Sequence, residues 1–274
     1  MNKLKKLLVT FILLIQMNSS FGANVGEDTT FSSDATAQQI VTADDVDIII
    51  TNNSSITRTG QKAIKNSDAE TTGTTLTIHS GSAVTSTGNN TISTEGGDFT
   101  ITNSGTIQAL GNSGSNSKTI NLSGSDGVSI TNNSGGIITS PGHTILGSSG
   151  SGADNTTIEN SGQITSINTS SSSSAIIVAD NDTGTTITNN SGGEITSKGS
   201  KATIVLGVSS TLTNSGTIKN NKSVDNNSIQ LKGNNNTITL KDSGVVVGVI
   251  KAKDGTTGNT LKLNHGVGKS YYYN

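Results

Sequence analysis

Asp180 and Asp182 have the two-residue spacing that puts side chains on one face of a strand, and two carboxylates on one face are what general acid and base work on a sugar chain requires. They stand in the run Asp-Asn-Asp-Thr-Gly, which reads equally as a polar turn. Arg58 is the single arginine able to stabilise developing negative charge, and the five glutamates are spread one to a region. His79, His143 and His265 lie far apart, with no partner at metal-ligand spacing, and the chain has no cysteine. The run Gly124-Ser125-Asp126-Gly127 is a single echo of a calcium-binding repeat. These residues predict no catalytic centre, no cofactor and no metal, so the expectation is a protein that is not an enzyme.

The phrase Thr-Ile-Thr-Asn-Ser-Gly-Thr-Ile at Thr100 to Ile107 carries more information than any of these residues, because it recurs. Variants stand at Ile49 to Ile56, Leu76 to Val84, Val128 to Ile137, Thr157 to Ile164, Thr186 to Ile195, Thr211 to Ile218 and Ile238 to Val245. Aligning Ser54, Ser80, Ser104, Ser134, Ser161, Ser191, Ser215 and Ser243 gives steps of 24 to 30 residues, a period that belongs to solenoids, propellers and arrays. Within each phrase apolar and polar residues alternate with period two and end in a turn, the pattern of a half-buried strand. A second short strand follows the Ser-Gly turn, as in Thr106-Ile107-Gln108, and a third precedes the next phrase, as in Lys118 to Leu122 or His143 to Leu146.

Three short strands and three turns per coil predict an all-β fold: a right-handed, single-stranded parallel β-helix, or β-solenoid, with coils of 24 to 30 residues. Gly makes up 33 of the 274 residues, and Ser, Thr and Asn are abundant. Disorder is excluded by the regular aliphatic at every second position before the same turn. The asparagines Asn52, Asn103, Asn132, Asn160, Asn189 and Asn214 share the inward parity of the preceding aliphatic residue. The reading is a structural ladder of stacked amides, with Ser80, Asp242 and His265 at the matching position in three coils that lack it. Gly105, Gly135, Gly162, Gly192 and Gly216 follow, where a tight corner calls for positive φ. Ala109 to Ser117, Ser148 to Asn155 and Ser166 to Ser174 are expected to loop out from one corner and to carry any binding specificity.

At the start of the chain, Lys3, Lys5 and Lys6 precede the apolar run Leu7 to Ile15, and small residues follow to Ala23. That is the pattern of a secretory signal peptide over residues 1–23, cut after Gly22 or Ala23. Residues 24–47 lack the phrase and are read as an N-terminal cap, 48–268 as the β-helix and 269–274 as a C-terminal tail. Losing three of the 17 basic residues against 19 acidic ones leaves an acidic mature chain, which excludes nucleic acid as a partner. Without cysteine no disulfide stabilises the exported chain.

The repeated phrase behind a signal peptide resembles the passenger region of Gram-negative autotransporters, over about residues 40 to 268. The resemblance implies passage through an outer-membrane β-barrel transporter and service at the cell surface as an adhesin or spacer, with a glycan or protein as the surface ligand. Such a barrel is not in this chain, which stops at Tyr271-Tyr272-Tyr273-Asn274, and three readings stay open: a truncated gene, a passenger served by a separate outer-membrane transporter as its partner, or a product that stays in the periplasm. β-Helices also include polysaccharide lyases and hydrolases, the enzymatic alternative. A second alternative comes from Thr-x-Thr at Thr75/Thr77, Thr100/Thr102, Thr186/Thr188, Thr211/Thr213 and Thr237/Thr239, whose outward rows resemble the surface of ice-binding β-solenoids.

Overall fold

A computed structural model describes residues 23–66, 71–88, 90–111, 117–122, 124–147, 153–169, 173–178 and 181–266. Its described residues form 28 strands and no helix, arranged in parallel sheets of 10, 10 and 8 strands. The chain visits the three sheets in turn. Asn90–Ser93 lies in the first sheet, Thr100–Asn103 in the second and Thr106–Ala109 in the third; Lys118–Asn121 then returns to the first. Each strand pairs with its counterpart one coil away, so every sheet runs the length of the molecule. The fold is the expected parallel β-solenoid with three strands per coil.

The alternation in the sequence becomes three continuous aliphatic columns. In the first sheet Ile64, Ile92, Ile120, Ile145, Ile176, Ile204 and Ile229 stack one on the next. Leu76, Ile101, Ile130, Ile158, Ile187, Leu212 and Ile238 do so in the second. Ile56, Val84, Ile107, Ile138, Ile164, Ile195 and Ile218 do so in the third. All of these side chains are buried. Each contributes about 1.5–3 kcal/mol, but only because a neighbouring coil covers it.

The turns between the second and third sheets come in two lengths. Asn103 and Thr106 are separated by two residues, as are Asn160 and Gln163, and Asn214 and Thr217; Asn132 and Ile137 are separated by four, as are Asn189 and Glu194. The glycines divide accordingly. Gly135 and Gly192, in the longer turns, have φ of 82° and 83°. Gly105, Gly162 and Gly216, in the shorter ones, do not take the positive φ expected of them. They are glycine because a Cβ would come within 2.2 to 2.3 Å of a carbonyl oxygen in the preceding coil.

Solenoid strands begin at Ala23–Val25 and Thr29–Phe31, inside the segment read as a cap, and they pair in register with Gln39–Val41 and Asp47–Ile50. The segment lacks the phrase but keeps the alternation. Residues 1–22 of the expected signal peptide and the expected tail, 269–274, lie outside the described residues. So do the middles of the three expected loops. Their flanks leave from two corners rather than one: 109–117 and 166–174 join the third sheet to the first, and 148–155 joins the first to the second.

Candidate functional site

Five of the six predicted ladder asparagines come together. Asn103 Nδ2 donates to Asn132 Oδ1, Asn132 to Asn160, Asn160 to Asn189 and Asn189 to Asn214, each at 2.8 Å. The same amide nitrogens also donate to turn carbonyls: that of Asn160 reaches Gly162 O at 3.1 Å and Glu194 O at 3.3 Å. All five residues are buried. An amide satisfied on both sides in the interior stabilises the coil junction, whereas one left unpaired there costs about 1–3 kcal/mol.

Asn52 is not part of the ladder. It is exposed, with φ 59°, in the four-residue turn after Asp47–Ile50. Strand register puts Ile50 beside Ile78 and Ile78 beside Asn103, so the ladder position in those coils is aliphatic. At the other end Leu240 pairs with Asn214 and Leu263 with Leu240. Ser80, Asp242 and His265 therefore do not occupy the column either. Aligning the coils on serine misplaced all four residues, because it aligns turns of unequal length rather than strands. The amide column is closed by apolar residues above and below.

A second polar row runs along the corner between the first and second sheets, and the sequence reading did not identify it. Asp44 Oδ1 accepts from Thr72 N at 2.8 Å, Asp126 Oδ1 from Asp154 N at 3.2 Å, Asp154 Oδ1 from Thr183 N at 2.6 Å and Asn234 Oδ1 from Thr257 N at 2.8 Å. The signal was present as an Asp or Asn followed by Asp, Asn or Gly shortly before the strand, as in Asp126-Gly127 and Asp154-Asn155. These carboxylate and amide oxygens accept from backbone N–H groups of the next coil.

Of the candidate catalytic pair, Asp180 lies outside the described residues. Asp182 is buried and accepts from Ala153 N at 3.3 Å. It borders a cavity of about 10 Å³ whose other walls include Leu122, Ile145, Ala153, Ile158 and Val178, room for one water at most and none for a substrate. Among the described residues no group of three or more His, Asp or Glu is placed to hold a metal ion.

The three histidines stay apart. His79 Nδ1 lies 3.2 Å from Thr51 Oγ1, and His265 Nδ1 lies 3.0 Å from Asp242 O. His143 is buried and accepts from Ser174 N at 3.1 Å. Burial, then the charge of Lys118, push its pKa down from 6.5 to about 4, with Lys201 adding to the effect. Lys118 pairs directly beneath His143 in the first sheet, and its own pKa is lowered by burial and by Lys62. Nearby, Glu95 bridges Lys62 and Lys65. Burial acts to raise its pKa, but the two ammonium groups outweigh burial and lower it.

The outer face of the second sheet carries two neighbouring hydroxyl columns. Thr75, Thr100, Ser129, Thr157, Thr186, Thr211, Thr237 and Thr260 form one; Thr77, Thr102, Thr131, Thr188, Thr213 and Thr239 form the other, which Glu159 interrupts and Lys262 ends. Successive residues in a column are about 4.8 Å apart and the columns about 6.7 Å, from strand spacing and rise.

Comparisons with protein-family models, with curated proteins and with solved structures return no match for this chain. Its class is therefore defined by its own geometry: a three-sheet parallel β-solenoid with an internal asparagine ladder.

Proposed function

We propose that this chain is an exported, non-enzymatic passenger-like β-solenoid that serves as an adhesin-like or spacer module at the cell surface or in the medium. The supporting observation is the repetition of one coil into three continuous sheets, of which the second and third turn rows of exposed or half-buried side chains outward from a buried core. Such rows suit an extended polymer or a cell surface better than a small substrate, because contacts repeat along the axis. The charged lysine end of the apolar leader supports export. A glycan or protein is the ligand class, and a separate outer-membrane transporter is the expected partner.

Fractionation of the producing cell, followed by protease treatment of intact cells, tests this reading. Chain in the medium, or chain on intact cells that protease removes, is the expected result. Chain found only in the periplasm and protected from protease overturns it.

The twin hydroxyl columns support a second reading, ice binding through the outer face of the second sheet. Purified protein would then inhibit ice recrystallisation, and Thr131→Lys together with Thr188→Lys would abolish the effect without unfolding the chain. Ice growth that is indifferent to the unsubstituted protein removes this reading.

A further inference from the structure

Charge is segregated between the corners of the solenoid. Among the described residues, the connections from the first sheet to the second hold ten carboxylates against Lys232 and Lys253. Those from the third sheet to the first hold Lys62, Lys198, Lys201 and Lys222 against Asp225, and the strand-end residues Arg58 and Lys118 border them. An acidic chain thus carries one basic edge, which runs along its axis.

The acidic edge is occupied internally, since Asp44, Asp126 and Asp154 accept from backbone N–H groups of the next coil. On the basic edge, Glu95 is the counter-ion of Lys62 and Lys65. Lys118 is half-buried, and among the described residues no acid pairs with it. The charge of Lys62 acts on Lys118, and those of Lys118 and Lys201 act on the buried His143, so these groups share one positive field. A half-buried ammonium without a counter-ion favours an anion from outside, because water screens it poorly there.

The spacing selects the kind of anion. Lys62 precedes a strand two coils before that of Lys118, and Lys201 precedes one three coils after it. At about 4.8 Å per coil, these positions lie about 10 and 14 Å from Lys118 along the axis. One small anion cannot engage all three, whereas a chain with repeated charges can. A nucleic acid, being more densely charged, calls for a broader basic surface than one edge of an acidic chain. We propose that this basic edge binds an acidic polysaccharide lying along the solenoid axis, with Lys118 as the central contact for its carboxylate or sulfate groups. This names the ligand class within the surface-module reading and rests on it for access to the glycan.

Calorimetric titration of the purified protein tests the proposal, with polygalacturonate as the carboxylate probe, dextran sulfate as the sulfate probe and neutral dextran as the control. Saturable binding to at least one acidic polymer, weakening with salt, and none to dextran is the expected result. Lys118→Gln is expected to lower the affinity about tenfold. Lys241→Gln removes the same charge from an exposed site at the end of a second-sheet strand and is expected to leave the affinity unchanged. His143 gives a readout that a general loss of structure would not: a bound anion offsets the neighbouring lysines, so its imidazole proton resonances titrate at higher pH in the complex. Binding no stronger than that of dextran, or an equal loss in Lys118→Gln and Lys241→Gln, overturns the proposal. Equal affinity for single-stranded DNA overturns it too, since charge alone would then be matched. Export is measured on cells and binding on purified protein, so failure of either reading leaves the other standing.

Discussion

His143 is the residue whose titration the fold alters most clearly. Its folded pKa is about 4 against an ordinary 6.5, so the folded chain holds a neutral imidazole between Lys118 and Lys201. The unfolded chain takes up the proton first. Stability from this group is therefore complete above about pH 6.5, falls as pH drops toward 4 and is lost below that. The loss is about 2–3 kcal/mol. His143→Asn, whose amide oxygen can accept from Ser174 N, is expected to flatten urea-unfolding stability between pH 6.5 and 4 relative to the unsubstituted protein. An unchanged pH profile would mean that carboxylates alone set it.

At the scale of strands and turns, a coil is held to the next by what sits at the strand ends. The asparagine column ends against Ile78 and Leu240, so the site after Asn214 is already apolar, while Asn160 is bonded above and below. Asn160→Leu removes two bonds of the column, leaving the amide nitrogen of Asn132 short of an acceptor and the amide oxygen of Asn189 short of a donor. Asn214→Leu removes one, leaving only the amide nitrogen of Asn189 short of an acceptor. The interior substitution is expected to destabilise by about 1–3 kcal/mol more than the terminal one, read as a larger drop in the urea midpoint. Equal effects would mean that the bonds between side chains contribute little beyond those to the turn carbonyls.

For the whole molecule, near-identical coils make stability a sum over neighbours. Deleting residues 157–185 removes one coil and brings Thr186 onto Ser129, the position that Thr157 holds now. Inward parity is kept, because Ile187 then stacks on Ile130. The shortened chain is expected to fold with an unchanged β-sheet circular dichroism per residue and a denaturant slope lower by about a tenth. Loss of the β signal would show that this coil holds the stack together in a way its neighbours do not.

Strand identity, inward parity, coil period and the amide ladder were all legible in the sequence, because each follows from a local rule: alternation with period two, and Asn-Ser-Gly closing a strand. Ile101, Ile130 and Ile158 could be assigned to the core from their own neighbours in the chain. What the tertiary structure alone decided is which residues lie side by side about 25 positions apart. The two-residue and four-residue turns shift the serines relative to the strands, so Ile50 and Ile78, not Asn52 and Ser80, continue the asparagine column. The corner aspartates find their N–H partners one coil away, and His143 becomes buried by residues of other coils. A single coil cannot specify any of these, since the contacts that define them exist only when coils are stacked.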